Sequence, residues 1–136
     1  MTKSSVSIKN LVLAAQKARE FSQAKYSKFR VGAALLAEDG KIFTGCNVES
    51  SSYSLTICAE RVALTKALSE GYTKFTAIAI SARDGEFCSP CGACRQLLYD
   101  YAPEIDVILT SGSDEKLYKL AELLPAAFED SQLGGE

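Results

Sequence analysis

The sequence contains no histidine and no tryptophan, one methionine and three prolines. Without histidine, the commonest proton shuttle and the commonest metal ligand are absent. Any general base is then a carboxylate or something rarer, and any transition-metal site is mostly sulfur. No apolar run approaches the roughly 20 residues that span a bilayer. The opening Met1-Thr2-Lys3-Ser4-Ser5 has no apolar secretory core behind it. A cytoplasmic, soluble protein without a membrane partner is expected. Charge of one sign is also scarce: 15 Lys and Arg against 17 Asp and Glu leave −2 at pH 7. Nucleic-acid binders usually carry a basic patch or stripe. The only basic density, Lys17, Arg19, Lys25, Lys28 and Arg30, reads as a solvated helix face. The expected partner is small and neutral, with no nucleic acid.

What is present fits one domain over residues 1–136 with a single core. Hydrophobic residues make up 47% and charged residues 24%, ordinary for a globular chain. This length buries enough surface to fold without disulfides or metal, so a metal would serve chemistry. There are five cysteines. Inside a cell they stay reduced, and clustered cysteines then suggest metal binding or catalysis.

Ile8 to Ser22 reads as a helix, with Leu11, Ala14, Ala15, Ala18 and Phe21 on one face. Arg30 to Ala37 and Lys41 to Asn47 read as a hairpin around Glu38-Asp39-Gly40. Asn47 to Thr56 is polar and reads as a loop. Cys58 to Ser69 reads as a helix capped by Gly71. Phe75 to Ala82 reads as a strand buried on both faces. Pro90 opens a helix that runs to about Tyr101. Strands at Ile105 to Thr110 and Lys116 to Leu120 follow, then a helical turn that stops at Pro125. The order predicts an α/β three-layer sandwich: a mixed sheet of about five strands with helices on its faces.

Two stretches carry the chemistry. One is Cys58-Ala59-Glu60-Arg61; the other is Pro90-Cys91-Gly92-Ala93-Cys94-Arg95-Gln96. Both begin helices, whose N-termini favour thiolate over thiol, and thiolate is the form that binds zinc. Three sulfurs leave one tetrahedral position open, the pattern of catalytic zinc. A water there loses its proton near neutral pH. Arg61 lies one turn beyond Cys58 and is expected to donate hydrogen bonds to the thiolates. Glu60, in a chain without histidine, is the candidate proton shuttle. A closed four-cysteine structural site including Cys88 is the competing reading, opposed by Pro90, which redirects the chain after Cys88. Cys46 and Cys88 read as small apolar residues. Cys-Ala-Glu followed by Pro-Cys-x-x-Cys resembles the signature of zinc deaminases.

Through these residues the chain resembles the cytidine deaminases, specifically the small homotetrameric kind whose zinc has three cysteine ligands. The likeness extends over Tyr26-Ser27-Lys28-Phe29-Arg30-Val31-Gly32-Ala33-Ala34-Leu35, Gly45-Cys46-Asn47-Val48-Glu49-Ser50, both cysteine stretches and Glu122-Leu123-Leu124-Pro125-Ala126-Ala127-Phe128. The resemblance implies one Zn²⁺ per subunit on Cys58, Cys91 and Cys94, and hydrolytic deamination of cytidine and deoxycytidine in pyrimidine salvage. It implies that Phe29 packs against the pyrimidine, and that Asn47 and Glu49 bond the ribose hydroxyls. The Ala59 backbone would bind the base, Glu60 its N3 edge, and the Ser89 carbonyl the leaving ammonia. Tyr53 and Phe128 would lie near active sites shared between subunits. Read from residues alone, Phe29 is equally a core residue, Asn47 and Glu49 turn residues, and Phe128 local packing.

Overall fold

The structure, a computed structural model, describes residues 7–128. The Met1–Ser5 opening considered above lies outside them. Helix α1 (Ile8–Ala18) starts where the Ser7 side chain accepts from the Asn10 amide at 3.1 Å. Its apolar face buries Leu11, Val12, Ala15 and Ala18. The helix does not run on to Ser22: it tightens into a 3₁₀ turn over Arg19–Phe21. The tighter turn redirects the side chains, so Phe21 is 65% exposed rather than on the buried face.

The sheet contains β1 (Gly32–Ala37), β2 (Ile42–Cys46), β3 (Phe75–Ser81), β4 (Asp106–Thr110) and β5 (Glu115–Lys119), in the order β2-β1-β3-β4-β5. All neighbours are antiparallel except β3 and β4. That parallel pair spans the connection through α3 (Gly92–Tyr101), as a helical crossover requires. Strand alternation builds two cores. Ala33, Leu35, Ile78, Ile80, Val107 and Leu109 face α2 (Ala59–Ser69) and α3. Ala34, Leu36, Ala77, Ala79 and Ile108 face α1. Both faces of the central strands are thus apolar, and each fully buried Leu, Ile or Val contributes about 1.5–3 kcal/mol. A short α4 (Leu120–Leu123) closes the described chain, with Leu120 fully buried. The arrangement is the expected three-layer α/β sandwich with a mixed five-stranded sheet.

One glycine brings the site together. A Cβ on Gly45 would lie 2.4 Å from the Ala59 carbonyl oxygen. Only glycine lets β2 approach the first turn of α2 this closely. Beyond β2, Val48 and Ile57 exchange backbone hydrogen bonds of 2.9 Å. This bridge sets the Asn47–Glu49 segment beside Cys58. The segment read as a loop also holds a 3₁₀ turn, Tyr53–Leu55.

Candidate functional site

Cys58 is the N-cap of α2 and Cys91 the N-cap of α3. Neither side chain caps its helix, which leaves both thiols free for other partners. Cys94 lies one turn into α3 and is buried. The Sγ atoms of Cys58 and Cys91 are 3.9 Å apart, and those of Cys91 and Cys94 are 3.5 Å apart. Sulfurs around one tetrahedral zinc, at about 2.3 Å each, stand about 3.8 Å apart. The spacing and the soft donor set therefore fit zinc. All three sulfurs lie within 4.8 Å of one another, and Cys88 is not part of the group. Burial, and then the nearby Glu60 charge, push the Cys88 thiol up. The four-cysteine reading has no geometric support among the described residues.

The three sulfurs do not share charge equally. The Cys94 thiol hydrogen-bonds to Cys58 and, with help from Arg61, draws Cys58 down to about 5. The same bond and burial push Cys94 up. Arg61 Nη2 stands 3.7 Å from Cys58 Sγ and donates to the Thr56 carbonyl at 3.3 Å. Glu60, the second residue of α2, is 5% exposed. Burial first, and the Cys58 thiolate second, raise its carboxyl to about 7. A carboxyl held there exchanges protons readily at neutral pH.

Cys58, Ala59, Glu60 and Cys91 form one wall of a cavity of about 190 Å³; Phe29, Val31, Asn47 and Thr56 line another side, and Cys88 and Ser89 complete it. Thr56 also borders an adjoining cavity of about 300 Å³, lined by Tyr26, Ser27, Glu49 and Tyr53. The first has room for a ring; together they reach the size of ordinary small-molecule sites. A larger surface cavity, about 730 Å³, lies by α1 and the Ser111–Ser113 turn. It touches no cysteine, and size without chemistry does not make it the reaction centre.

Asn47 and Glu49 spend most of their bonding capacity on the protein itself. Asn47 Oδ1 accepts from Ser22 Oγ and from the Val31 amide at 3.0 Å, and Nδ2 donates to the Phe29 carbonyl at 2.8 Å. One Nδ2 hydrogen is left for a ligand. Glu49 accepts from the Tyr26 and Ser27 amides at 2.9 and 3.0 Å and from Ser27 Oγ. These donors hold its carboxyl below the usual range. They also clamp a loop in which Lys28 adopts a φ of 63°, unusual for a non-glycine residue. Phe29 is carried on that loop, and the Arg83 guanidinium lies 5.2 Å from its ring centroid.

Tyr53 is 78% exposed at the mouth of the adjoining cavity. Phe128 does not line the cysteine cavity; it is 47% exposed, and its carbonyl accepts from Gln96 at 3.0 Å. Sequence reasoning missed Thr56 and Arg83, and it gave Cys88 no place in the cavity. No local pattern marks these residues, because their roles depend on contacts with distant segments.

Comparison with known proteins agrees with this geometry. The family described as "Cytidine and deoxycytidylate deaminase zinc-binding region" matches residues 5–110. A cytidine deaminase of Sporosarcina psychrophila is 47% identical over 128 residues, 93% of this chain and 94% of that protein. A probable cytidine deaminase of Dictyostelium discoideum is 46% identical over 88% of this chain and 82% of that one. The crystal structure of a cytidine deaminase from Burkholderia pseudomallei superimposes with a TM-score of 0.86 at 46% identity, covering 90% of this chain and 99% of the other. The chain belongs to the cytidine and deoxycytidylate deaminase family.

Proposed function

We propose that this chain is a zinc-dependent cytidine deaminase that converts cytidine and 2′-deoxycytidine to uridine and 2′-deoxyuridine with release of ammonia. The observation that carries the reading is one arrangement. Three sulfurs at zinc-binding spacing stand beside a buried carboxyl in a ring-sized cavity. Cys58, Cys91 and Cys94 hold one Zn²⁺ per chain, and the ion when bound supplies the Lewis acidity that makes water nucleophilic near neutral pH. Glu60 takes a proton from the attacking water and delivers it to N3 of the ring. It then takes the remaining proton from the hydroxyl now on C4 and passes it to the amine, so that the C4 carbonyl forms as the C4–N bond breaks and ammonia leaves. Phe29 packs on the pyrimidine, the Ala59 backbone orients it, and the Ser89 carbonyl receives the leaving ammonia. The spare Asn47 hydrogen and the Glu49 carboxylate meet the ribose hydroxyls.

Four further readings complete the proposal. The protein works in pyrimidine salvage. It assembles as a homotetramer, supported by the exposed apolar side chains of Tyr53, Leu55 and Ile57 near the cavity; Tyr53 and Phe128 then sit where subunits share active sites. It acts in the cytoplasm, where three clustered free cysteines stay reduced. It takes free nucleosides and not polynucleotides, in keeping with its −2 charge. Among the described residues no helix is long and apolar enough to cross a membrane.

The test is ammonia release from cytidine, with and without a zinc chelator, beside blasticidin S and a cytosine-containing single strand. Chelator-sensitive turnover of cytidine is expected. Turnover of blasticidin S or the oligonucleotide with none of cytidine would replace the substrate assignment.

A further inference from the structure

We infer that Arg95 is a positioning residue for the metal corner, which it holds by tying Pro90 to the Leu123 backbone carbonyl. The inference rests on the zinc reading above. Arg95 immediately follows Cys94. Its Nε donates to the Pro90 carbonyl at 2.7 Å, and its Nη1 donates to the Leu123 carbonyl at 2.6 Å. Its own amide donates to the Cys91 carbonyl at 2.9 Å. One side chain thus joins the residue before the second sulfur ligand to the end of α4.

The chemistry of the joint is specific. Pro90 has no N–H, so its carbonyl is its one backbone hydrogen-bonding group. Pro90 is buried, where an unmet carbonyl is costly. A guanidinium offers several donors in a rigid plane and reaches two carbonyls at once, which an ammonium does poorly. The far end is itself anchored. Leu120 is fully buried, and Glu122 accepts from the Lys119 amide at 2.7 Å. Gln96, the next residue of α3, holds the Phe128 carbonyl at 3.0 Å. Consecutive side chains of α3 therefore grip the C-terminal segment at two points. Arg61 acts differently, because it reaches a sulfur directly. Arg95 acts through Pro90, by fixing the direction in which the chain enters Cys91.

The experiment uses the full-length zinc-loaded protein. Zinc transfer to a chromogenic chelator is timed for wild type, Arg95→Met, Arg95→Lys and Leu123→Ala. The kcat and KM for cytidine are measured at saturating zinc. Release is expected to be about 10- to 100-fold faster in Arg95→Met, with Arg95→Lys in between. KM should stay unchanged, because Arg95 does not line the cavity. Leu123→Ala weakens α4 packing but keeps the carbonyl, and should release zinc near the wild-type rate. Wild-type release in both Arg95 variants overturns the inference, as does Leu123→Ala releasing zinc as fast as Arg95→Met. If Arg95→Met does not fold, Arg95→Lys decides by the same measurement. A wild-type chain that holds no zinc instead removes the zinc reading itself.

Discussion

The two sides of the cavity are built on different principles. On the metal side, Cys58, Glu60, Cys91 and Cys94 come from the first turns of two helices whose remaining residues form the core. Cys94 and Glu60 are buried, but none of the four side chains belongs to the main apolar cluster. On the opposite side, Phe29, Asn47 and Glu49 come from loops, and the same atoms that would meet a sugar also fasten those loops together. Substitutions should therefore separate. Metal-side changes should cost turnover or zinc with little change in folding, whereas loop-side changes should cost stability and substrate affinity together.

Glu60→Gln gives the sharpest version of this contrast. It keeps the shape and removes the proton carrier, so kcat should fall about 100- to 10,000-fold. Bound zinc and the urea midpoint should stay near wild type. Turnover close to wild type would take Glu60 out of the mechanism. Arg61→Ala should have a smaller effect, about 10-fold in activity or zinc affinity, since it removes the hydrogen bond to Cys58 Sγ. Unchanged kinetics and zinc content would leave Arg61 a purely structural residue.

Asn47→Ala probes the other side. It leaves the Val31 amide and the Phe29 carbonyl without their partners, a loss of about 2 kcal/mol in urea denaturation. KM should rise more than kcat falls. A large KM effect with full stability would break the comparison, because the amide would then serve substrate alone. The smallest effect belongs to Glu49. Its folded carboxyl titrates below the unfolded one. Its contribution is therefore complete above the ordinary carboxylate value of about 4.3 and fades as pH falls through the folded value. Urea midpoints of wild type and Glu49→Gln should differ at neutral pH and converge in acid; a gap that persists into acid would show that charge is not what the loop uses.

Much of this site was legible along the chain because its signals are local. Cys58 and Pro90-Cys91 mark helix starts, and Glu60 and Cys94 follow within one turn. The helix–strand order predicted the sheet's composition, and the lack of histidine pointed to Glu60. Phe21 shows the limit. Helical periodicity placed it on the buried face, but a 3₁₀ turn changed its direction. Nothing near Arg83 announces that it will cover Phe29, and nothing near Arg95 announces that it will hold Leu123.

The sequence by itself determined which residues have metal-binding and proton-carrying chemistry and that the strand near Phe75 to Ala82 is buried on both faces. Those properties depend on residue type and on spacings of a few residues. Only the tertiary structure decided that Cys58 meets Cys91, that Asn47 and Glu49 serve the protein as well as any ligand, and that Phe128 does not line the cysteine cavity of its own chain. Such contacts join segments far apart in the chain, and their geometry is set by how β2, β3 and their helices pack across the sheet.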